Sequence, residues 1–211
     1  MTYNDDYYLR FQKPIGEFGA KFHFKEYRKH ISLNDVILDF GCGGGFLLEA
    51  LKAKEKYGVE INPFLIKILN AKNIKCYKDV SELENNSIDV IIMHSVIGHL
   101  ENPIETLKEL KLKLKKDEKK LIYLINDGYK FDLINDVNKI YFSFSPRNIR
   151  NISTSLDFKI ELKKTIIAKW PPYYLIFYKY FGLSFVKLVA KFYGIMTSIK
   201  FTQGFYVLRN K

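Results

Sequence analysis

The chain reads Val36-Ile-Leu-Asp-Phe-Gly-Cys-Gly-Gly-Gly-Phe46 over its most informative segment. A brief apolar run, Val36–Phe40, ends in glycines, and apolar residues recur at helical spacing from Phe46 to Lys54. This order predicts a buried strand, a tight turn and a helix. Glycines at positions 41, 43 and 45 allow the backbone to turn sharply and a ligand to approach without a Cβ in the way. The segment therefore predicts a ligand-binding loop.

Strands and helices alternate outward from this loop. Further strands are predicted at Lys56–Ile61, Lys75–Tyr77, Ser87–Met93, Leu121–Ile125, Phe158–Ile167 and Phe201–Leu208, and helices at Pro63–Ala71, Pro103–Lys116 and Pro146–Leu156. Such alternation is typical of an α/β protein with a parallel sheet between two helical layers. We predict a doubly wound, mostly parallel seven-stranded sheet whose last strand is antiparallel.

We predict a single domain over residues 1–211. Its first part, residues 1–34, is aromatic and basic and is predicted to form an N-terminal cap segment. Turn signals at Pro14, Gly16 and Gly19 precede a short helix predicted around Lys21–His30. Residues 170–200 are predicted to be a helical insert between the last two strands, although Gly182 and Gly194 argue against one continuous helix.

Two carboxylates flank the glycine loop. Asp39 ends the first strand, where an ammonium group of a ligand could be held, and Glu60 ends the second, where it can accept hydrogen bonds from two ribose hydroxyls. A dinucleotide places an anionic pyrophosphate on such a loop, and a carboxylate beside it is unfavourable. A nicotinamide dehydrogenase is therefore the weakest interpretation of this loop. A strand–turn–helix without any ligand is a minor alternative.

These residues resemble the class I S-adenosylmethionine-dependent methyltransferases, in particular their small-molecule and sugar-modifying members, over most of the chain. The resemblance implies a Rossmann-like fold that binds S-adenosylmethionine and releases S-adenosylhomocysteine. It implies that the loop from Asp39 to Gly45 cradles the methionine part and that Glu60 binds the ribose. The residues matched in this way are Asp39, Gly41, Cys42, Gly43 and Gly45 in the loop, and Glu60 with Ile61 beside the adenine. Asp79 and Val80 match the pair that contacts the adenine amine.

The fourth strand leads into the segment His94-Ser-Val-Ile-Gly-His-Leu-Glu-Asn-Pro103, which also resembles that family. His94 and Ser95 are expected at the carboxyl end of the strand, where an open α/β sheet binds its ligand. The resemblance marks His99 as the candidate catalytic base. Gly98 stands where the family often has glutamate, which leaves local acid–base pairing in doubt. The family's turn before strand five is also replaced here, by Lys116-Asp-Glu-Lys-Lys120.

The composition favours a cytoplasmic protein. Cys42 and Cys76 form neither a disulfide framework nor a metal-ligand spacing, and we expect no metal. The net charge of +11 is spread along the chain, so a nucleic-acid partner is the minority expectation. We expect no transmembrane segment, because the most apolar stretch, 170–199, is interrupted by Lys179, Lys187 and Lys191.

Residues 170–200 have two interpretations. An aromatic helix after strand six can form a lid over the active-site end of the sheet, which is the favoured interpretation. An aromatic helix with lysines on one side can also contact a membrane surface, which would place the protein at the inner face of a membrane.

The predicted activity is methyl transfer to a small-molecule acceptor: a sugar, a glycan precursor or a lipid-linked intermediate, with oxygen as the expected nucleophile. An RNA or protein methyltransferase is one alternative. A protein that binds S-adenosylmethionine without catalysing transfer is another, since the glutamate before His99 is missing.

Overall fold

The computed structural model describes residues 5, 8–116, 119–127, 141–166, 169–197 and 202–211. Its strands are β1 (Val36–Phe40), β2 (Glu55–Val59), β3 (Lys75–Tyr77), β4 (Val90–His94), β5 (Lys120–Asp127), β6 (Phe158–Ile166) and β7 (Thr202–Asn210). They form one sheet in the order β3-β2-β1-β4-β5-β7-β6. The first five strands run parallel, and β7 pairs antiparallel with both β5 and β6. The predicted fold class is confirmed, including the antiparallel last strand.

The helices of the described residues are α1 (Lys13–Arg28), α2 (Phe46–Ala50), α3 (Pro63–Ala71), α4 (Pro103–Lys113), α5 (Pro146–Ser155) and α6 (Tyr174–Thr197). Side-chain caps explain where two of them start. Asn62 accepts a hydrogen bond from the Phe64 N–H, and Ser145 accepts one from the Asn148 N–H. A proline follows each cap and is already restricted to a helical φ, so the two predicted helix starts agree with the structure.

The core lies on both faces of the sheet because successive strand residues point in opposite directions. Ile37, Ile92 and Leu124 pack against α1, α2 and α3 on one face. Leu38, Ile91 and Tyr123 pack against α4 and α5 on the other. Full burial of each such side chain contributes about 1.5–3 kcal/mol. The two cores hold the sheet in place and fix the positions of its strand ends.

Helix α1 begins earlier than the short helix predicted around Lys21–His30. Pro14 lies in its first turn, where a missing N–H costs nothing, and Gly16 lies inside the helix. A Cβ on Gly16 would come within 2.9 Å of the Phe46 ring, so glycine permits α1 to pack closely on α2. The interpretation of Pro14, Gly16 and Gly19 as turn signals is therefore wrong.

Helix α6 lies between β6 and β7 in the chain, as predicted, and packs on the outer side of α1. Its Val186 and Ala190 are buried with Phe18 and Phe22 of α1. The backbone of Gly182 is non-helical (φ 76°, ψ 177°) and divides α6 into two segments, whereas Gly194 is accommodated within the helix. The expectation of a break is confirmed at Gly182 and is wrong at Gly194.

Asp89 ties the amino ends of β1, β4 and β5 together. Its carboxylate accepts a hydrogen bond from the Val36 N–H at 2.9 Å and lies 2.7 Å from the Lys115 Nζ and 2.9 Å from the Lys119 Nζ. Burial opposes the charge on Asp89, but the hydrogen bonds from Lys115, Val36 and Lys119 outweigh it and lower its pKa. Lys119, from the unusual segment before β5, and the neighbouring Lys115 therefore stabilise the end of the sheet opposite the glycine loop.

None of the helices in the described part of the chain has the length and apolarity to cross a bilayer.

Candidate functional site

The glycine loop between β1 and α2 adopts a backbone that side chains would disfavour. Gly41, Gly43 and Gly45 have φ values of 73°, 53° and 75°. A Cβ on Gly41 would lie 2.6 Å from Val96, and one on Gly45 would lie 2.4 Å from Leu69. A Cβ on Gly43 would meet nothing within 4 Å. Gly41 and Gly45 thus serve packing, while the surface above Gly43 is open to a ligand.

Asp39 lies at the end of β1 beneath this loop. Its side chain is buried, and its Oδ1 has no hydrogen-bond partner among the described residues. Burial, together with the nearby charge of Glu60, raises the pKa of Asp39 to about 8. An unpaired buried carboxyl oxygen costs free energy, and a cationic ligand group would relieve that cost.

Glu60 follows β2 and holds the loop in shape. One carboxylate oxygen accepts a hydrogen bond from the Gly43 N–H and the other from the Asn62 N–H, both at 2.9 Å. Each oxygen has a further lone pair for a ligand hydroxyl. The next residue, Ile61, leaves 75% of its area exposed beside this carboxylate, which is a large apolar surface for a ligand to cover.

Asp79 and Val80 lie beyond β3. The Asp79 side chain accepts a hydrogen bond from the Ser81 N–H at 2.8 Å, and Glu82 accepts one from the Asp79 N–H, which completes a capping box. Asp79 is exposed, whereas the side chain of Val80 is buried in the core. The structure therefore gives Asp79 a local structural role in addition to the predicted adenine contact.

Cys42 has its side chain turned toward β2 and β3. A Cβ on Gly58 would lie 2.6 Å from the Cys42 Sγ and 3.6 Å from the Sγ of Cys76, so both thiols border the same glycine. Its N–H donates to the Val59 carbonyl and its carbonyl accepts from the Gly45 N–H. Cys42 thus shapes the loop from below, a packing relationship that no local sequence pattern could reveal.

His94 lies at the carboxyl end of β4, under helix α1. Its Nδ1 is hydrogen-bonded to the Tyr27 hydroxyl at 3.0 Å, and its ring lies 5.3 Å from that of His23. Burial lowers the pKa of His94 to about 4, and burial followed by the charges of His94 and Lys187 lowers the pKa of His23 well below its usual value. Both imidazoles are therefore neutral at physiological pH.

Sequence reasoning missed His23 and Tyr27. They are one helical turn apart on α1, so their spacing places them on one helix face. Tyr27 is fully buried, and burial followed by the charge of Asp39 raises its pKa. Nothing in the sequence near β1 or β4 indicates that this face of α1 packs over them.

Ser95 and His99 follow β4. Ser95 has a φ of 56°, which is uncommon for a residue other than glycine and often marks functional loops. His99 ends the 3-10 helix Ile97–His99 and is partly buried. The Gly98 carbonyl accepts hydrogen bonds from the Tyr141 and Phe142 N–H groups at 2.8 and 3.2 Å, so the segment before α5 holds this loop in place.

The N-terminal segment reaches the glycine loop through Tyr8. Its ring is buried and makes an edge contact with Phe64 at 5.9 Å, and its hydroxyl would lie within 2.2 Å of a Cβ on Gly44. Phe18, a second candidate for covering the ligand, instead packs against Trp170 and Tyr174. A third candidate, Tyr7, lies outside the described residues.

The predicted ligand residues therefore share one edge of the sheet. β1 pairs with β2 on one side and with β4 on the other, so the residues at and beyond their carboxyl ends, Asp39, Glu60 and His94, are neighbours. This is the point at which ligands bind in open α/β sheets. The unpartnered oxygen of Asp39, the open space at Gly43 and the exposed Ile61 fit a ligand with a cationic amino acid part and an apolar base. Among the described residues, no group of three or more His, Cys, Asp or Glu could hold a metal ion.

A family model described as "Methyltransferase domain" matches residues 11–162. Three solved structures have the same fold. A methyltransferase dependent on S-adenosylmethionine from Archaeoglobus fulgidus has a TM-score of 0.69 and 19% identity, covering 98% of this chain and all of the other. The MccD protein has a TM-score of 0.68 and 18% identity, covering 92% and 98%. A methyltransferase dependent on S-adenosylmethionine from Mesorhizobium loti has a TM-score of 0.63 and 12% identity, covering 92% and 100%. None of the curated proteins matches the chain.

Proposed function

Because the chain belongs to the methyltransferase-domain family and is an S-adenosylmethionine-dependent methyltransferase, we propose that it methylates an oxygen atom of a small molecule. The proposed acceptor class is a sugar, a glycan precursor or a lipid-linked intermediate. When bound, the cofactor supplies an electrophilic methyl group on a sulfonium and leaves as S-adenosylhomocysteine.

Residues of three strand ends would hold this cofactor. Asp39 would pair with its ammonium group, and the loop Gly41–Gly45, including Cys42, would lie against its methionine part. The loop is already held in shape by the bond from the Gly43 N–H to Glu60, whose remaining lone pairs would accept ribose hydroxyls. Ile61, Asp79 and Val80 would border the adenine. Pre-organisation of this kind reduces the entropy lost on binding.

The loop after β4 carries the argument for an oxygen acceptor. From His94 to Asn102 it contains two imidazoles, a serine hydroxyl and the carboxylate of Glu101, which accepts a hydrogen bond from the Tyr141 hydroxyl at 3.5 Å. A hydroxyl acceptor keeps its proton at neutral pH, so an imidazole that can take this proton as the bond to the methyl group forms supports an oxygen acceptor. We propose His99 as that group, and His94 and Ser95 as residues that border the cofactor.

Other segments cover the glycine loop and the carboxyl end of β4, and this enclosure supports a small acceptor. Tyr8 lies against the glycine loop, α1 covers His94, and α6 packs on α1 from outside. We propose that residues 170–200 act in this way as the lid of the site and exclude water from it. Methyl transfer needs mainly positioning and desolvation, and such an enclosure favours both.

The test is to follow the methyl group of isotope-labelled S-adenosylmethionine into cell extracts separated into small molecules, RNA and protein. We expect label in the small-molecule fraction, and fragmentation by mass spectrometry should place it on oxygen. Label confined to RNA or protein, or located on nitrogen or carbon, would contradict the proposal.

Two variants separate the histidine roles in the same assay. His99→Ala should lower kcat about 10²–10⁴-fold with unchanged cofactor affinity, because a general base acts only on the acceptor. His94→Ala should weaken cofactor binding instead. Full activity of His99→Ala would exclude the proposed base.

An RNA acceptor is the alternative that one observation favours, namely the net charge of +11. It predicts RNA binding that weakens steeply with salt and labelled RNA in the fractionation experiment.

A further inference from the structure

Helix α6 exposes large apolar side chains on the side that faces away from α1. Its inner side is buried by contact of Val186 and Ala190 with Phe18 and Phe22. We call the opposite side the outer face. Its large apolar residues, each at least 39% exposed, are Leu175, Ile176, Tyr180, Phe181, Phe185, Leu188, Phe192, Ile195 and Met196. A helix that is apolar all round is normally covered on every side, and a contiguous exposed patch of this kind marks a contact surface.

The outer face is continuous along the longer segment of α6. Phe185, Leu188, Phe192 and Ile195 recur at alternating intervals of three and four residues, which places them in one row on a helix. Ahead of the bend at Gly182, the shorter segment adds Ile176 and Tyr180, which are 52% and 70% exposed. The part of the row on the longer segment, from Phe185 to Ile195, is therefore straight enough to lie along a flat apolar boundary.

Positive charge surrounds this row. The chain contains no Asp or Glu from Leu162 to Lys211, so neither α6 nor its flanks contribute an acid. Lys179 and Lys191 are exposed on α6 itself. The Nζ of Lys187 lies 5.2 Å from the centre of the Phe22 ring, and that of Lys169 lies 5.5 Å from the centre of the Tyr193 ring.

The elements packed against α6 leave this charge largely uncompensated. Burial lowers the pKa of Lys187, and the positive charges of Lys25 and Lys164 lower it further. The nearby acid, Glu26, is already paired with Lys164 at 2.9 Å and with Lys29 at 3.4 Å. A partner that covers the outer face must therefore present an apolar surface and must also carry negative charge next to the lysines.

A second copy of the chain meets only the first requirement. It would bring its own lysines against those of the first copy, and each copy carries a net charge of +11. A lipid bilayer with anionic headgroups meets both requirements, because aromatic and aliphatic side chains enter its headgroup boundary while lysines contact the phosphates.

We propose that the outer face of α6 binds the surface of an anionic lipid bilayer, with the helix lying parallel to the membrane plane. The row from Phe185 to Ile195 enters the headgroup boundary, and Lys179 and Lys191 contact anionic headgroups. This inference does not depend on the acceptor, because it rests on a face directed away from α1 and the glycine loop.

Flotation with lipid vesicles tests the proposal. The full chain is mixed with vesicles of phosphatidylcholine alone or of phosphatidylcholine with phosphatidylglycerol, and the bound fraction is measured. We expect binding to the anionic vesicles that is at least tenfold stronger than to the neutral ones and that weakens with salt.

Two variants address the two components separately. Phe185→Ser/Leu188→Ser/Phe192→Ser should reduce anionic-vesicle binding roughly tenfold or more, because it removes the apolar row. Lys179→Gln/Lys191→Gln should reduce it by a similar factor through lost headgroup contacts. Circular dichroism spectra and thermal melts of both variants should match those of the wild type, which shows that they fold.

The chain offers matched controls for both variants. Ile104 and Leu112 are exposed apolar residues of α4 on the other side of the sheet, and Lys52 and Lys67 are exposed lysines remote from α6. Ile104→Ser/Leu112→Ser and Lys52→Gln/Lys67→Gln should bind anionic vesicles like the wild type. If the control variants lost as much vesicle binding as the α6 variants, binding would depend only on net charge or on overall surface apolarity, and the proposal would be overturned.

Light scattering completes the test. A wild-type dimer that Phe185→Ser/Leu188→Ser/Phe192→Ser converts to a monomer, together with an absence of vesicle binding, would show that a second copy covers the outer face instead. Absence of binding to either kind of vesicle would by itself overturn the proposal.

Discussion

Asp39 keeps a carboxyl group buried at the end of β1, with one oxygen that has no hydrogen-bond partner among the described residues. Its pKa rises from 3.8 to about 8 because of burial and the charge of Glu60. Between these pH values the folded chain holds a proton that the unfolded chain has released. The stability associated with this proton is fully present below pH 3.8 and is lost as the pH rises through about 8.

Asp39→Asn should therefore stabilise the ligand-free protein at pH 7.5, because the amide never ionises. The melting temperature should exceed that of the wild type by several degrees at this pH, and the difference should disappear as the pH falls toward 4. Thermal melts across this range measure it. A variant less stable than the wild type at pH 7.5 would mean that Asp39 is paired in the ligand-free protein.

The open space at Gly43 allows binding to be separated from folding. Gly43→Ala adds a Cβ that meets nothing within 4 Å, and it incurs only the cost of a positive φ, about 1–2 kcal/mol. Gly182 also has a positive φ, 76°, with a ψ of 177° and open surroundings, so Gly182→Ala is a control for backbone strain introduced away from the loop. We expect Gly182→Ala to lose at least as much stability as Gly43→Ala, and Gly43→Ala alone to bind S-adenosylmethionine at least tenfold more weakly. Equal affinities, measured by calorimetry, would place the ligand away from Gly43.

Gly58 lies directly below Cys42 and predicts a compensating pair of substitutions. Gly58→Ala would place a Cβ 2.6 Å from the Cys42 Sγ, which should destabilise the protein by about 1–3 kcal/mol. Adding Cys42→Ala removes that sulfur and leaves the Cys42 Cβ at an ordinary 3.6 Å. Denaturant unfolding of both single variants and the double variant should show partial rescue. Simple additivity of the two losses would contradict this packing.

At the residue scale, the sequence predicts site residues best where a chemically suitable side chain lies at the end of a predicted strand. Asp39 and Glu60 lie at the ends of two predicted strands and the loop glycines follow the first of them, so the edge that they share could be predicted. The roles of His23, Tyr27 and Cys76 depend on which helix face or neighbouring strand meets them. That depends on packing between distant segments, which a single sequence does not display.

At the scale of elements, the packing of α1 on β4 determines how the protein responds to acid. His94 is partly buried beneath α1, and this burial lowers its pKa to about 4 from the usual 6.5. Between pH 6.5 and pH 4, the His94 imidazole is therefore protonated in the unfolded chain but neutral in the folded one. The stability associated with the neutral imidazole is present above pH 6.5 and is lost as the pH falls toward 4.

Replacement of His94 should flatten this dependence. Wild-type stability should fall between pH 6.5 and pH 4, whereas His94→Gln, which cannot titrate, should show a smaller slope after its own constant loss is subtracted. Urea unfolding at several pH values measures both slopes. Identical slopes would show that His94 does not contribute to acid sensitivity, and His23 would then be the residue to replace.

The helices and strands whose ends are marked by capping residues, prolines or glycines are the ones that the sequence predicts best. The starts of α3 and α5 follow from an Asn or Ser cap with proline after it, and β1 ends where the glycines begin. Helix α1 was the poorest prediction, because Pro14 and Gly16 normally interrupt helices. In the folded protein they serve its first turn and its contact with Phe46, and both reasons lie outside the local sequence.

At the scale of the whole molecule, helix α6 has a different role from the sheet and its two helical layers. The sheet, its two helical layers and their cores build the fold and align the strand ends. Helix α6 lies outside this arrangement, and its inner side joins α1 while its outer face carries apolar residues and lysines. The sequence predicts that residues 170–200 are helical, aromatic and basic, and in the structure α6 covers Tyr174–Thr197. Which side of that helix is buried becomes visible only once α1 is in place.

The central claim is that Asp39 holds the amino acid part of S-adenosylmethionine and Glu60 its ribose. Calorimetric titration with S-adenosylmethionine and with methylthioadenosine, which lacks the amino acid part, tests this claim most directly. We predict that Asp39→Asn weakens binding of S-adenosylmethionine but not of methylthioadenosine, that Glu60→Gln weakens both, and that NAD competes with neither. Unchanged affinity of Asp39→Asn for S-adenosylmethionine, or equally tight binding of NAD, would contradict the account.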